Sequence, residues 1–115
     1  MANVANPFRT IREQDLEEAV RRLVREFRPQ AIYLFGSQVT GVPDRHSDVD
    51  IMVLVEDDSP THEYYRRGYQ CLRGLHVPIE LHIASRSRFE RFAGVFGSLQ
   101  HEIQRKGVLL HAAKA

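Results

Sequence analysis

Two apolar, strand-forming runs on either side of a polar loop constrain the fold of this 115-residue chain more than any other feature. The first run, Ala31–Phe35, ends directly at Gly36-Ser37, and the second opens at Asp48-Val49-Asp50. Because side chains alternate across a strand, we expect Asp48 and Asp50 to point to one face of the second strand. The opposite face would carry branched apolar residues that can be buried, namely Val49, Ile51, Val53 and Val55.

The ends of the two runs carry the groups that a phosphate ester and its counterions require. Gly36 lets the backbone turn sharply and approach a ligand, where a Cβ atom would obstruct it. Ser37 adds a hydroxyl and N–H donors at the start of a helical turn. The like charges of Asp48 and Asp50 repel each other, and a divalent cation between them removes that cost. The alternative is that both aspartates are turn and strand-edge residues that keep the loop soluble.

The spacing of these residues resembles a known family. Gly-Ser, ten residues and Asp-x-Asp is similar to the signature of the polymerase-β-type nucleotidyltransferase superfamily, and the short length resembles its minimal nucleotidyltransferases. The resemblance covers most of the chain, including a closing helix-Gly-strand segment over residues 103–110. It implies an α/β (α+β) polymerase-β-like fold, in which a small mixed β-sheet is flanked by helices. We expect a single domain over residues 1–115.

A third carboxylate is expected on the strand beside Asp48 and Asp50. Glu80 is the only carboxylate in a predicted strand over residues 77–83, and it lies opposite the apolar face of Ile79, Leu81 and Ile83. The resemblance implies that Asp48, Asp50 and Glu80 are catalytic and hold two Mg²⁺ ions, with Gly36, Ser37, Asp48 and Asp50 binding ATP. A buried acid at this position would need a metal or an ion pair. The alternative is a rim glutamate paired with an arginine.

The neighbouring His82 shares the face of Glu80. We interpret it as a polar residue on an exposed surface, with the lining of an acceptor cleft as the alternative. Cys71 falls in a predicted helix and is interpreted as a buried or neutral thiol rather than a nucleophile. Asp57 and Asp58 are interpreted as loop carboxylates at the far end of the second strand.

The remaining elements follow from capping residues and apolar spacing. Thr10 and Glu13 form a predicted capping box for a helix that ends before Pro29. Ser59-Pro60 predicts a helix up to about Arg73, whose tyrosines pack rather than stack on a base. Pro78 predicts either an edge position for the third strand or a place among its first residues. A helical stripe, broken over residues 94–98, is expected to belong to the core: Phe89, Phe92, Phe96, Leu99 and Ile103.

Composition narrows the class of protein. A formal net charge of +1 argues against a general binder of polyanions, so no direct nucleic-acid binding is expected. No apolar run approaches the length of a membrane span, and the N-terminus lacks the features of a signal peptide. A single cysteine suits the reducing cytoplasm, where we place the protein.

The resemblance also implies a reaction and a partner. Similar minimal proteins commonly act as antitoxins that move AMP from ATP onto a tyrosine hydroxyl of a HEPN-domain toxin. Two alternatives remain. One is a non-catalytic antitoxin that masks its toxin, suggested by Gln38 in place of the usual basic residue and by Glu80 in place of aspartate. The other is transfer to a small molecule.

Overall fold

The computed structural model describes residues 11–36, 49–56 and 62–113, and in these ranges four helices and four strands are present. Along the chain they are α1 (Ile11–Phe27), β1 (Ala31–Phe35), β2 (Val49–Val55), α2 (His62–Cys71), β3 (Ile79–Ser85), α3 (Arg86–Ala93), α4 (Leu99–Lys106) and β4 (Val108–Ala112). Several residues with predicted roles lie outside the described ranges: Thr10, Ser37, Gln38, Asp48, Asp57, Asp58, Ser59 and Pro60.

The strands form one mixed sheet in the order β3-β2-β1-β4. β1 is antiparallel to both β2 and β4, whereas β2 and β3 are parallel. The predicted mixed sheet is therefore confirmed, as is the edge position of β3, and β1 lies in the interior of the sheet. The closing segment also has the predicted form, because Gly107 separates α4 from β4.

Each face of the sheet is covered by a different pair of helices. On the first face, the branched residues of β2 are buried with Ala19 and Leu23 of α1, and Tyr64 and Tyr65 of α2 pack against them. On the second face, Met52 and Leu54 are buried with Ile103 of α4 and with residues of α3. The predicted alternation of β2 is confirmed, and Asp50 is on the second face, two residues before Met52.

Helix α2 is attached to the edge strand through its tyrosines and a glycine. The hydroxyl of Tyr69 accepts a hydrogen bond from the Leu81 N–H at 2.9 Å, and that of Tyr65 accepts one from the Ile83 N–H at 3.0 Å. A Cβ at Gly68 would collide with the Leu81 side chain. The tyrosines therefore pack, as predicted, and they satisfy backbone donors that an edge strand would otherwise leave exposed.

Three predicted boundaries or burials are wrong. The third strand is Ile79–Ser85 rather than residues 77–83. Pro78 has no N–H to donate to the ladder, although its carbonyl accepts a hydrogen bond from the Val49 N–H. Helix α2 ends at Cys71, short of Arg73. The C-terminal stripe belongs to the core only in part: Phe89 and Ile103 are buried, but Phe96 is 85% exposed.

The interruption between helices α3 and α4 explains the exposure of Phe96. Residues 94–98 form the predicted interruption, and Ser98 caps α4 by accepting a hydrogen bond from the His101 N–H. Since helical periodicity restarts at this cap, Phe96 no longer follows the stripe of α3 and lies in the turn between the two helices.

Candidate metal and nucleotide site

Residues of the predicted site lie in one row of paired residues across neighbouring strands. Phe35 of β1 is opposite Asp50 of β2, and Asp50 is opposite Glu80 of β3. Side chains in one row of a sheet share a face, so both carboxylates lie on the second face. Gly36 directly follows Phe35, which brings the turn after β1 beside the start of β2. Of the predicted site residues, the structure thus brings Gly36, Asp50 and Glu80 together.

Gly36 lies in contact with the carboxylate of Asp50. Its φ is +85°, a conformation that residues with a side chain rarely adopt. A Cβ at this position would be 2.5 Å from Oδ2 of Asp50 and 3.2 Å from its Cγ. The absence of a side chain at position 36 is therefore required both by the backbone and by the neighbouring carboxylate.

Asp50, Glu80 and His82 form a cluster of three metal-ligating side chains. One ligand atom from each lies within 4.8 Å of the others. The premise of a buried Glu80 is wrong: its side chain is 52% exposed, since it is near the start of an edge strand, whereas that of Asp50 is 24% exposed. Among the described residues, the basic side chain close to the Glu80 carboxylate is that of His82, and no arginine pairs with Glu80.

His82 is the site residue whose interpretation from sequence is wrong. Its Nε2 lies 3.3 Å from Oε2 of Glu80 and 3.5 Å from Oδ1 of Asp50, and its ring packs 5.1 Å from that of Phe35. The side chain is 28% exposed and the Nε2 atom is buried, so His82 is not a residue of an open surface. Its even spacing from Glu80 was the available signal, because i and i+2 share a face.

Two cavities flank this cluster on the second face. One of about 320 Å³ is lined by Met52, His82, Arg88 and Gln100, and one of about 260 Å³ by Phe35, Gly36, Glu102 and Lys106. Leu99 lines both. The first cavity therefore adjoins His82 and the second adjoins Gly36, and one arginine or lysine, Arg88 or Lys106, lines each of them. A larger cavity, of about 710 Å³, lies between α1 and β4, away from the cluster.

Cys71 is not part of this site. Its thiol donates a hydrogen bond to the Gly68 carbonyl at 3.2 Å, and burial, together with the negative charge of Glu26, raises its pKa. The thiol is therefore neutral at physiological pH, as predicted. None of the described helices is both long enough and apolar enough to span a membrane.

Comparison with known proteins agrees with this fold. Among solved structures, a candidate nucleotidyltransferase from Sulfolobus solfataricus aligns with a TM-score of 0.55 and 18% identity, covering 68% of this chain and 70% of the other. A toxin-antitoxin structure with AMP-PNP aligns with a TM-score of 0.57 and 24% identity, and a mutant of the toxin-antitoxin MntA-HpeT with 0.53 and 22%. Both of these alignments cover 85% of this chain and 74% of the other.

Sequence comparison is more specific. Comparison with curated protein sequences gives no significant match. The sequence profile of the nucleotidyltransferase domain, however, matches residues 14–108, which include the Gly-Ser and Asp-x-Asp segments and all but the ends of the described fold. This match extends over most of the chain, so the protein belongs to the nucleotidyltransferase domain family.

Proposed function

We propose that this protein transfers AMP from ATP to a hydroxyl of a partner protein, with release of pyrophosphate, and that it acts as the antitoxin of a HEPN-domain toxin. The observation that carries the proposal is the contact between the Gly36 turn and the Asp50 carboxylate, beside Glu80. Family membership supports nucleotidyl transfer. The similarity in fold to toxin-antitoxin structures, one of them with AMP-PNP, supports the choice of partner and nucleotide.

The turn after β1 would hold the triphosphate. Backbone N–H groups at Gly36 and the Ser37 hydroxyl supply donors, and the absence of a Cβ at position 36 lets phosphate oxygens come close. Arg88 and Lys106 line the flanking cavities and supply positive charge for the same group. In this proposal Gly36, Ser37, Asp48 and Asp50 bind the nucleotide.

The carboxylates have two tasks. Asp48, Asp50 and Glu80 would hold Mg²⁺, in two positions, which neutralises the charge that develops on the phosphate oxygens during transfer. In the mutant MntA-HpeT structure, two aspartates two positions apart are replaced by glutamate, which is the spacing of Asp48 and Asp50. Glu80 is half-exposed at the sheet edge and can accept the proton of an incoming hydroxyl. The hydroxyl oxygen of the acceptor then bonds to the α-phosphorus of ATP, and pyrophosphate leaves.

The open edge of the site suits an acceptor carried by another macromolecule. Glu80 lies on edge strand β3, so a side chain of a partner protein can reach it without entering a closed pocket. This supports a protein hydroxyl over a small molecule as acceptor. We further propose that the protein works in the cytoplasm, without direct contacts to nucleic acid or membrane.

A second candidate function is neutralisation of the toxin by binding alone. The observation that favours it is a group of exposed apolar side chains on α3, α4 and the turn between them, since such groups often mark protein interaction sites. Its members are Phe92, Val95, Phe96 and Leu99. In that case the carboxylates would play no part in neutralisation.

Substoichiometric inactivation separates the two functions. Incubated with Mg²⁺-ATP, a small amount of the protein should inactivate an excess of toxin, which should gain the mass of AMP. Asp50→Asn should abolish this activity, and Glu80→Gln should slow it by orders of magnitude. Glu18→Gln is the control, because Glu18 is on α1, on the other side of the sheet, and its loss should leave transfer unchanged.

Neutralisation by binding alone predicts a different set of results. A mask must act in one-to-one amounts, without ATP, and must tolerate both Asp50→Asn and Glu80→Gln. If the toxin is neutralised in this way and stays unmodified in mass, the catalytic proposal is wrong. Modification of a small molecule but not of the toxin would contradict the choice of acceptor alone.

A further inference from the structure

The proposed roles of the three carboxylates give no function to His82, although its side chain lies beside two of them. It is on β3, diagonal to Asp50 and two residues after Glu80, and the ring of Phe35 packs beside it across β2. We propose that His82 binds the divalent cation directly through Nε2, together with Asp50 and Glu80, and that the site therefore prefers a first-row transition-metal ion to Mg²⁺.

The state of Nε2 is the observation that points to a ligand. The atom is buried, and its geometry gives it no hydrogen-bond partner among the described residues. A buried polar atom without a partner destabilises the folded state, so native proteins rarely keep one without a reason. Carboxylate oxygens of Glu80 and Asp50 lie 3.3 and 3.5 Å from Nε2. A cation bound among the three atoms would satisfy the nitrogen and both oxygens at once.

The separations suit direct binding. Neighbouring ligand atoms around a cation with bonds of about 2.1 Å lie about 3 Å apart. The two distances from Nε2 exceed this by only a few tenths of an ångström, and all three ligand atoms are within 4.8 Å of one another. Small rotations of Glu80, which is half-exposed, can close the remaining gap, whereas His82 is held by its contact with Phe35.

The donor set decides the preference among metals. Mg²⁺ prefers oxygen ligands and water. Imidazole nitrogen binds Zn²⁺ more tightly than Mn²⁺, and it binds both of these ions more tightly than Mg²⁺. One imidazole with two carboxylates is therefore a mixed set that a transition-metal ion binds more tightly than Mg²⁺. This proposal rests on the site of the proposed function. Metal binding can nevertheless be measured without nucleotide or toxin, so the metal preference and the transfer of AMP can each be refuted separately.

Metal titration of the purified protein tests the inference. Zn²⁺, Mn²⁺ and Mg²⁺ are each titrated by calorimetry into the wild type, His82→Gln and the control His76→Gln, whose side chain is exposed and outside the cluster. We expect His82→Gln to weaken Zn²⁺ and Mn²⁺ binding at least about tenfold and Mg²⁺ binding less than about threefold. Pulsed EPR of bound Mn²⁺ should show coupling to a ¹⁴N nucleus that disappears only in His82→Gln.

Two results would overturn the inference. Equal losses for Mg²⁺ and Zn²⁺ in His82→Gln would mean that His82 only positions the carboxylates. Absence of ¹⁴N coupling in the wild type would mean that no imidazole binds the ion. If His82→Gln does not fold, ¹⁵N NMR of the wild-type histidine rings decides, because Zn²⁺ must then shift the Nε2 resonance of His82, and an unchanged resonance refutes the proposal.

Discussion

At the residue scale, the site depends on one glycine and the carboxylate that it faces. Gly36 has a φ of +85°, and its Cα is so close to Asp50 that an added Cβ would be 2.5 Å from Oδ2. Two separate requirements for glycine therefore coincide at position 36: the positive φ of the backbone, and the lack of room for a Cβ atom beside Asp50. Gly74 has a similar φ of +89° but no atom within 4 Å of an added Cβ, so it offers a natural comparison.

Replacing each glycine with alanine separates these requirements. Gly36→Ala and Gly74→Ala should each lower the free energy of unfolding by about 1–2 kcal/mol, because alanine is strained at positive φ. Only Gly36→Ala should also displace the Asp50 carboxylate and weaken divalent-metal binding. Urea unfolding and metal calorimetry on both variants check this. Wild-type metal affinity in Gly36→Ala would show that the contact has no role in the site.

At the element scale, edge strand β3 is held by helix α2. The outward N–H groups of Leu81 and Ile83 donate to tyrosine hydroxyls rather than to another strand. These bonds fix the position of β3, and with it Glu80 and His82, which point away from α2 on the same strand. Satisfied donors also make the edge a poor template for pairing with another chain.

Removing one hydroxyl tests this arrangement. Tyr69→Phe should lower the free energy of unfolding by about 1 kcal/mol, since the Leu81 N–H loses its acceptor. Exchange of the Leu81 amide with solvent should become faster. Tyr33→Phe is the matched control, because that hydroxyl has no hydrogen bond to the described part of the chain, while the ring stacks on Phe89. Equal effects of the two substitutions would contradict the proposed role of Tyr69.

At the scale of the whole molecule, the two faces of the sheet have cores of different size. The face covered by α1 and α2 has the larger buried cluster, whereas the site face has a small one around Met52, Phe89 and Ile103. Ile103 is fully buried and is the buried residue of α4. The cover of the site face thus depends on few contacts, which is typical of regions that open locally.

A single truncation should show this difference. Ile103→Ala should lower the free energy of unfolding by about 2–5 kcal/mol, whereas Leu99→Ala on the same helix should cost less, because Leu99 is 43% exposed. Hydrogen exchange followed by mass spectrometry should show the faster exchange of Ile103→Ala mainly in α3 and α4. A uniform increase that includes α1 would mean that both faces unfold as one unit.

Local patterns in the sequence were enough to predict most elements and to select Gly36, Asp50 and Glu80, which the fold brings together. The two-residue period of β2 predicted its buried face and the side of Asp50, and Gly107 predicted the end of α4. The spacing of Gly-Ser and Asp-x-Asp predicted the family that the profile match shows. These features depend on neighbours along the chain, where steric alternation and capping act.

The exposure of Glu80, the position of His82 and the exposure of Phe96 were decided only by tertiary structure. Parallel pairing of β2 with β3 sets which residue is opposite Asp50, and the edge position of β3 leaves Glu80 half-exposed. Phe96 is exposed because α4 restarts at Ser98 and turns away. Strand register and helix docking arise from contacts between residues far apart in the chain, and a periodic pattern carries no information about such contacts.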